Sequence, residues 1–459
     1  MKHSRTNRPI LIGITKALIL LLLPSVIFAQ DPGREKTPIS APSLVPPPHQ
    51  TSSEKTQAAS QEETKPLYGY QGVLVETLDG KTVATQSANQ TFNPASAIKL
   101  ATALVALQTL GPQQRFATAV WTDGILDKTT GTLNGNLYLS GRDPSLHYEH
   151  AVMIARELNS LGIKKITGNL VVSPSFTMNF NSVARSSGEQ LHNTLDSTLR
   201  SAEATKAWIY ERTALGDQAN LESVPSVAVM GEVTVDSVSP SAKLLLTQKS
   251  SRLVDILKVL LCYSNNFMAE RIGETLGGPD AVRQHLINSL GIAPGDLRIS
   301  SLSGLSLNRV TPQAMMKILR ALRAELQKDH LSPGDVMPVA GIDPGTLRDR
   351  FTGLAWRGSV IAKTGTLART DGGSSALVGQ LKAANGEVLL FVIMNQGGNV
   401  WRFRENQDYL VMLIQNTRGG PKAFAYTPHA LTMVLSDTES TFAADDEYGP
   451  KSKSEMNSP

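Results

Sequence analysis

Three short stretches carry residues that could serve nucleophilic chemistry or bind a charged substrate. Ser96-Ala97-Ile98-Lys99 sets a hydroxyl and an amine three positions apart, and residues at that spacing on a helix are neighbours on one face. A serine hydroxyl is a poor nucleophile at neutral pH and needs a base beside it; a lysine serves if burial draws its pKa down toward roughly 7 to 8. Ser264-Asn265-Asn266 offers a hydroxyl and an amide. Lys363-Thr364-Gly365-Thr366 occurs once in the chain and offers a cation, two hydroxyls and a glycine. On an exposed strand edge that set would hold a substrate carboxylate, while the edge backbone offers N–H groups to a peptide lying alongside. Alone, none of the three decides anything: Ser52 and Lys55 repeat the first spacing, Ser87 and Asn89 the second, and the third by itself reads as a glycine-marked strand end with a solvated lysine.

What separates the three from their repeats is the element expected beneath each. Gly72 to Thr77 and Thr82 to Gln86 are β-rich and flank Asp79-Gly80, a hairpin signal. A helix follows, with Asn93 as N-cap, Pro94 at the first helical position, Leu100, Leu104 and Leu107 on one face, and Gly111 as its stop. Ser96 then lies in the first turn, where the helix end favours developing negative charge. Helical periodicity at Leu253 to Cys262 and Phe267 to Leu276 makes Ser264 to Asn266 a short loop between helices. A further helix is expected at Thr311 to Leu326, before apolar β-rich runs at Ser359 to Ala362, Ser374 to Leu381 and Val388 to Met394; the last two flank Asn385-Gly386 and read as antiparallel sheet. Between these halves, from about Val120 to Val235, lie short strands such as Gly135 to Leu139 and Thr167 to Val172 around one helix near Ala151 to Leu161. This reads as an inserted domain. Ser182 to Ser201 is polar and poorly periodic, and no element is assigned to it.

The chain has 459 residues, 41% hydrophobic and 18% charged, a composition of folded protein in two or three domains. A net charge of +4, without a basic stripe interleaved with aromatics, excludes nucleic acid as the expected partner. Lys2, Arg5 and Arg8 precede a charge-free apolar run, Ala17 to Ala29, that reads as a secretory signal peptide cleaved after Ala29. The rival is an uncleaved anchor holding the protein at the membrane periphery, but Lys16 cuts the run short of the roughly 20 apolar residues a span needs. Residues 30–66 have the composition of a disordered linker. The expected division is a first part at 67–120, the insert at 121–235, a second part at 236–425, and a disordered tail at 426–459. Cys262, the only cysteine, excludes an intramolecular disulfide and reads as a small buried hydrophobe. The eight histidines are scattered, with no His-Glu-x-x-His arrangement, and no Gly-x-Ser-x-Gly elbow is present. No metal and no cofactor is expected.

The three stretches together, in this order and on these elements, resemble the signature of the serine penicillin-recognising acyltransferases, the penicillin-binding proteins and serine β-lactamases. Further stretches narrow the resemblance to D-alanyl-D-alanine carboxypeptidases/endopeptidases of the penicillin-binding protein 4 type, low-molecular-mass class C: Tyr138 to Leu146, Ser303-Gly304-Leu305-Ser306 with Asn308 to Pro312, and Pro338 to Gly341 with Gly345-Thr346-Leu347. It covers roughly residues 69–420. The sequence departs from the family after Phe176, and Arg142 stands where a glycine is usual before Asp-Pro. The resemblance implies an α/β (α+β) fold: a transpeptidase domain with a central antiparallel sheet flanked by helices, plus an inserted β-rich domain. It implies that Ser96 attacks the carbonyl of a penultimate D-alanine, Lys99 takes its proton, and the N–H groups of Ser96 and Thr366 form the oxyanion hole. Ser264 would relay a proton to the leaving amine, Asn266 would hold the substrate amide, and Lys363, Thr364 and Thr366, with Gly365 between them, would bind the terminal carboxylate. Ser264 with Lys363 stays open as an alternative base. The implied partners are peptidoglycan peptides, with β-lactams as inhibitors, in the periplasm or cell envelope. Two rivals remain, a serine β-lactamase and a non-catalytic envelope-binding protein; the Glu189 and Asn193 pair has the spacing of a class A deacylation set but precedes Ser264, and is discounted.

Overall fold

The computed structural model describes residues 67–216, 224–428 and 430–443, together with the two-residue strand Ser43–Leu44. The expected signal peptide, nearly all of the expected linker and the last residues of the tail lie outside the described residues. The expected central antiparallel sheet is present. Its strands run in the order Ser43–Leu44, Thr82–Gln86, Tyr70–Thr77, Val388–Gln396, Ser374–Lys382 and Val360–Leu367, every neighbour antiparallel. Ser43–Leu44 falls inside the stretch read as disordered linker; the backbone of Thr82–Gln86, otherwise an open sheet edge, gives even a polar segment hydrogen-bonding partners.

The two central strands are buried on nearly every residue because helices cover both faces of the sheet. Side chains alternate between the faces, and the register makes the division explicit. Lys363, Val378, Val392 and Leu74 lie side by side across four strands; the last three pack with Leu104, Leu257 and Leu319 of the helices Lys99–Leu110, Leu253–Tyr263 and Pro312–Lys328. One residue along, Thr364, Leu377, Ile393 and Val73 form the next row. Leu377, Ile393 and Val73 pack on the opposite side with Leu410, Val411 and Ile414 of the helix Val400–Asn416.

The region between the halves has its own core, around Val120, Leu139, Ile154, Val172 and Leu191. It holds a four-stranded sheet and a six-stranded one in the order Val233–Val235, Leu170–Val172, Leu137–Gly141, Ala117–Thr122, Lys243–Lys249 and Glu439–Phe442. Two inner strands of the larger sheet show where local pattern falls short. Ala117–Thr122 straddles the expected boundary at 121 and Lys243–Lys249 lies wholly past the one at 235, since each presents a few apolar residues among polar ones and finds its place only by pairing. Ser182 to Ser201 contains the helix Ala184–Leu195. Its inward face carries Ser187, Gly188 and Thr194 beside Leu191 and Leu195, which blurs the apolar period; a Cβ on Gly188 would meet Val233 at 2.7 Å.

The tail is the clearest correction. Residues 426–459 were expected to be disordered, yet Leu431–Val434 is helical, Leu431 and Leu435 are buried, and Glu439–Phe442 pairs with Lys243–Lys249. Arg115 clasps this segment through ion pairs to Asp437 (3.0 Å) and Glu439 (3.2 Å). Burial of each leucine contributes about 1.5–3 kcal/mol. Ending the chain after residue 428 is therefore expected to lower Tm by more than about 5 °C in differential scanning fluorimetry; an unchanged Tm would show the segment to be ornamental.

Candidate active site

The turn that carries Ser96 is built by Asn93. Its side-chain oxygen accepts from the Ala95 N–H (3.0 Å), its amide donates to Asp371 (2.9 Å), and its own N–H donates to Gln396 (3.1 Å). Arg309 holds Asp371 from the other side at 2.7 Å. Instead of opening an α-helix directly, the chain passes through Ala95 in the left-handed region (φ 46°) into a 3-10 turn, Ala95–Ile98, and becomes α-helical at Lys99. In a 3-10 turn, side chains three apart eclipse one another, so the tighter turn brings Lys99 directly over Ser96. Two glycines let other segments close on this turn. A Cβ on Gly304, at φ +88°, would lie 2.2 Å from the Ala95 carbonyl oxygen, and one on Gly365 would lie 2.3 Å from that of Pro94.

Lys99 is fully buried. Its ammonium donates to Ser96 Oγ at 2.9 Å, to Asn266 Oδ1 at 2.7 Å and to the Ser303 carbonyl at 2.5 Å. Burial draws its pKa down to about 7, against the opposing charge of Glu270. The first and second stretches thus meet at one amine. Asn266 reaches it because Ser264 ends the helix Leu253–Tyr263 in the left-handed conformation (φ 57°, ψ 41°), and Asn265 at once caps the next, Asn266–Thr275, by accepting from Met268 N–H (3.0 Å). Ser264 lines the same cleft as Ser96, a space of about 490 Å³ that also takes in Thr346, Arg350, Thr364, Thr366, Trp401 and Arg404.

The third stretch is divided by the strand that bears it. Gly365 and Lys363 lie on the face toward the serine turn, and Thr364 and Thr366 on the face toward the helix Val400–Asn416. Lys363 is fully buried, donates to the Thr364 carbonyl (2.8 Å), and has its pKa held well below the usual lysine value by burial and then by Lys99. The strand Val360–Leu367 is the last of its sheet. Its outer edge is engaged at the near end, where Ala362 N–H donates to Pro338 O and Val360 O accepts from Ala340 N–H. Because backbone groups alternate between the two edges, the N–H groups of Thr364 and Thr366 point the same way as that of Ala362, toward the cleft side.

Several contributors escaped the sequence reading. The Ser303 carbonyl is one, since a backbone acceptor has no residue-type signature. Glu270 is another: it lies one turn beyond Asn266 on the same helix and accepts from the N–H groups of Ser303 (2.9 Å) and Leu302 (3.4 Å), fixing that carbonyl. Its four-residue spacing from Asn266 was a signal available in the sequence. Arg404, which donates to Thr366 Oγ1 at 2.8 Å, carried none.

The sequence profile described as the D-Ala-D-Ala carboxypeptidase 3 (S13) family matches residues 59–223 and 218–417. The chain is similar to a D-alanyl-D-alanine carboxypeptidase of Actinomadura sp. (strain R39), 25% identical over 423 residues, or 71% of this chain and 77% of that protein. Among solved structures it resembles the penicillin G acylated Bd3459 predatory endopeptidase from Bdellovibrio bacteriovorus in complex with immunity protein Bd3460, at a TM-score of 0.65 and 23% identity, covering 79% of this chain and 96% of that one. It also resembles penicillin binding protein 4 (dacB) from Haemophilus influenzae, at a TM-score of 0.55 and 23% identity over 72% and 91% of the two chains. These structural likenesses establish the fold.

Proposed function

Because the chain belongs to the D-Ala-D-Ala carboxypeptidase 3 (S13) family of serine peptidases, we propose that it cleaves D-alanyl peptide bonds through an acyl-enzyme on Ser96. The observation that carries this reading is the Lys99 amine, 2.9 Å from Ser96 Oγ with a pKa near 7. In its neutral form the amine has two N–H groups, which match the Asn266 and Ser303 acceptors, and its lone pair is left for the serine proton. That arrangement favours Lys99 over Ser264 with Lys363 as the base.

Ser96 Oγ attacks the carbonyl of the penultimate D-alanine as its proton passes to Lys99. The tetrahedral oxyanion is met by the N–H groups of Ser96 and Thr366, each such donor typically worth about 3–4 kcal/mol of barrier. Collapse breaks the C–N bond, and the proton held by Lys99 reaches the departing amine through Ser264. Asn266 holds the substrate amide, while Thr364 and Thr366 face the substrate's terminal carboxylate. Water then attacks the ester carbonyl as the neutral Lys99 takes its proton; collapse breaks the C–O bond, that proton returns to Ser96 Oγ, and the shortened peptide leaves as its carboxylic acid.

The substrates proposed are stem peptides of peptidoglycan, with β-lactams acylating the same serine; the acylated Bdellovibrio relative supports the latter. Both carboxypeptidase and endopeptidase action are included, since in each the leaving amine bears a carboxylate on the adjacent carbon. The chain is proposed to be exported, its first 29 residues serving as the signal and its site of action being the cell envelope or periplasm.

The test is acylation by a fluorescent penicillin, followed on a denaturing gel for wild type and Ser96→Ala over hours. Label that persists on wild type and is absent from the variant is expected. Rapid loss of label would favour a β-lactamase, and no label on either protein would favour the binding-only reading.

A further inference from the structure

We propose that Arg404, rather than Lys363, is the cation that binds the terminal carboxylate of the scissile substrate. The assignment rests on the acyl-enzyme reading and deepens it. Lys363 is a poor candidate by position: its side chain belongs to the strand face turned toward the serine turn, and it is fully buried. The two hydroxyls of the same stretch face the other way, toward the helix Val400–Asn416. From that helix Arg404 enters the cleft shared by Ser96 and Ser264 and donates through one guanidinium nitrogen to Thr366 Oγ1 (2.8 Å).

Thr366 ties the two requirements together. Its N–H points to the cleft side as an oxyanion donor, and its side-chain oxygen, which itself donates to the Gly365 carbonyl (2.8 Å), holds the guanidinium. The terminal carboxylate lies one residue beyond the scissile carbonyl, at most about 3.8 Å further along an extended chain. An anion beside Thr366 therefore meets Arg404.

The charges around the cleft leave Arg404 available for this task. Its neighbour Arg350 takes Asp408, through Nε at 2.9 Å and Nη2 at 2.5 Å. Among the described residues Arg404 makes no ion pair; its guanidinium lies 4.8 Å from the ring centre of Trp401, which supports it from one side. One of its five N–H donors is used by Thr366, and the remaining fork matches a carboxylate. Asp349 and Glu405 line the cleft together with Asp408, whose charge also acts on Arg404 without pairing with it, and these carboxylates make an anion costly anywhere but beside a guanidinium.

The experiment compares kcat/KM on an N-acylated D-Ala-D-Ala peptide with that on the same peptide amidated at its C-terminus, for wild type, Arg404→Ala and Arg404→Lys. A ratio taken within each protein is independent of how much of it is folded. Wild type is expected to prefer the free acid, and Arg404→Ala to reduce that preference by about 10- to 100-fold, the range for loss of a hydrogen bond to a charged group. Arg404→Lys should recover part of it. A ratio in Arg404→Ala within about twofold of wild type overturns the assignment. So does a wild type that takes penicillin on Ser96 but treats acid and amide alike, which leaves the acyl-enzyme reading intact. A wild type that neither takes label nor cleaves either peptide overturns that reading and the assignment with it.

Discussion

Replacing Lys99 with methionine is expected to slow acylation of Ser96 by roughly 10²- to 10⁴-fold, the usual contribution of a positioned general base. Methionine fills most of the same buried volume, so the loss isolates the amine from the packing. A pH profile makes the test sharper. The ammonium form of Lys99 has no lone pair for the serine proton, and burial holds its pKa at about 7. The acylation rate of wild type should therefore rise with pH through about 7 and level off above it. In Lys99→Met that rise should vanish from the residual rate. A wild-type rate that falls as pH increases through 7 would contradict Lys99 as the base, as would a Lys99→Met profile with the same inflection. Removing the amine also leaves the Asn266 and Ser303 acceptors without their donor, so Tm should be measured alongside; an unmet buried acceptor costs about 1–3 kcal/mol.

A comparably large effect, on stability, is expected from Asp343→Ala. Lys258 and Asp343 form a buried ion pair at 2.6 Å between the helix Leu253–Tyr263 and the loop that follows Val339. The lysine also donates to the carbonyls of Gly334 (2.7 Å) and Met337 (2.9 Å), and the carboxylate accepts from Val339 N–H (2.8 Å) and Tyr426 OH (2.7 Å). Removing the carboxylate strands an ammonium in the core, which typically costs about 3–5 kcal/mol. The consequence should reach the cleft, because the same loop braces two of its walls. Val339 bridges to Ile361 two residues before Lys363, and Thr346 N–H donates to the Cys262 carbonyl (2.9 Å) two residues before Ser264. Gly345 has no room for a Cβ there, since one would lie 2.1 Å from that carbonyl oxygen. Urea denaturation should show the lower stability of Asp343→Ala, and penicillin labelling a slower acylation. Replacing both partners with apolar residues, Lys258→Met with Asp343→Leu, should return much of the stability, because the stranded charge is then absent. If the double replacement is no more stable than Asp343→Ala, the carboxylate's bonds to Val339 and Tyr426, rather than the ion pair, carry the effect.

The residues proposed for the site were marked in local sequence. Ser96 and Lys99 declare themselves by a three-residue spacing at the start of a helix, Ser264 and Asn266 by a break between two apolar periodic runs, and Lys363 to Thr366 by the end of a β-rich run. Each of those signals depends only on residues within a turn or a strand of it. The antiparallel sheet was legible for the same reason, from alternating apolar runs and a hairpin dipeptide.

What the tertiary structure alone decided depends on groups far apart in the chain. Burial beside Asn266 and the loop at Ser303, not the residue type, brings Lys99 to a pKa near neutrality. Sheet register, which a one-residue slip would invert, sends Lys363 to one face and Thr364 and Thr366 to the other, and so brings Arg404 of a distant helix into the cleft. The strand Glu439–Phe442 forms only because Lys243–Lys249 offers it an edge. Local pattern specifies which element a residue belongs to; which groups that element meets is set by long-range pairing and exclusion of water, and these have no local signature.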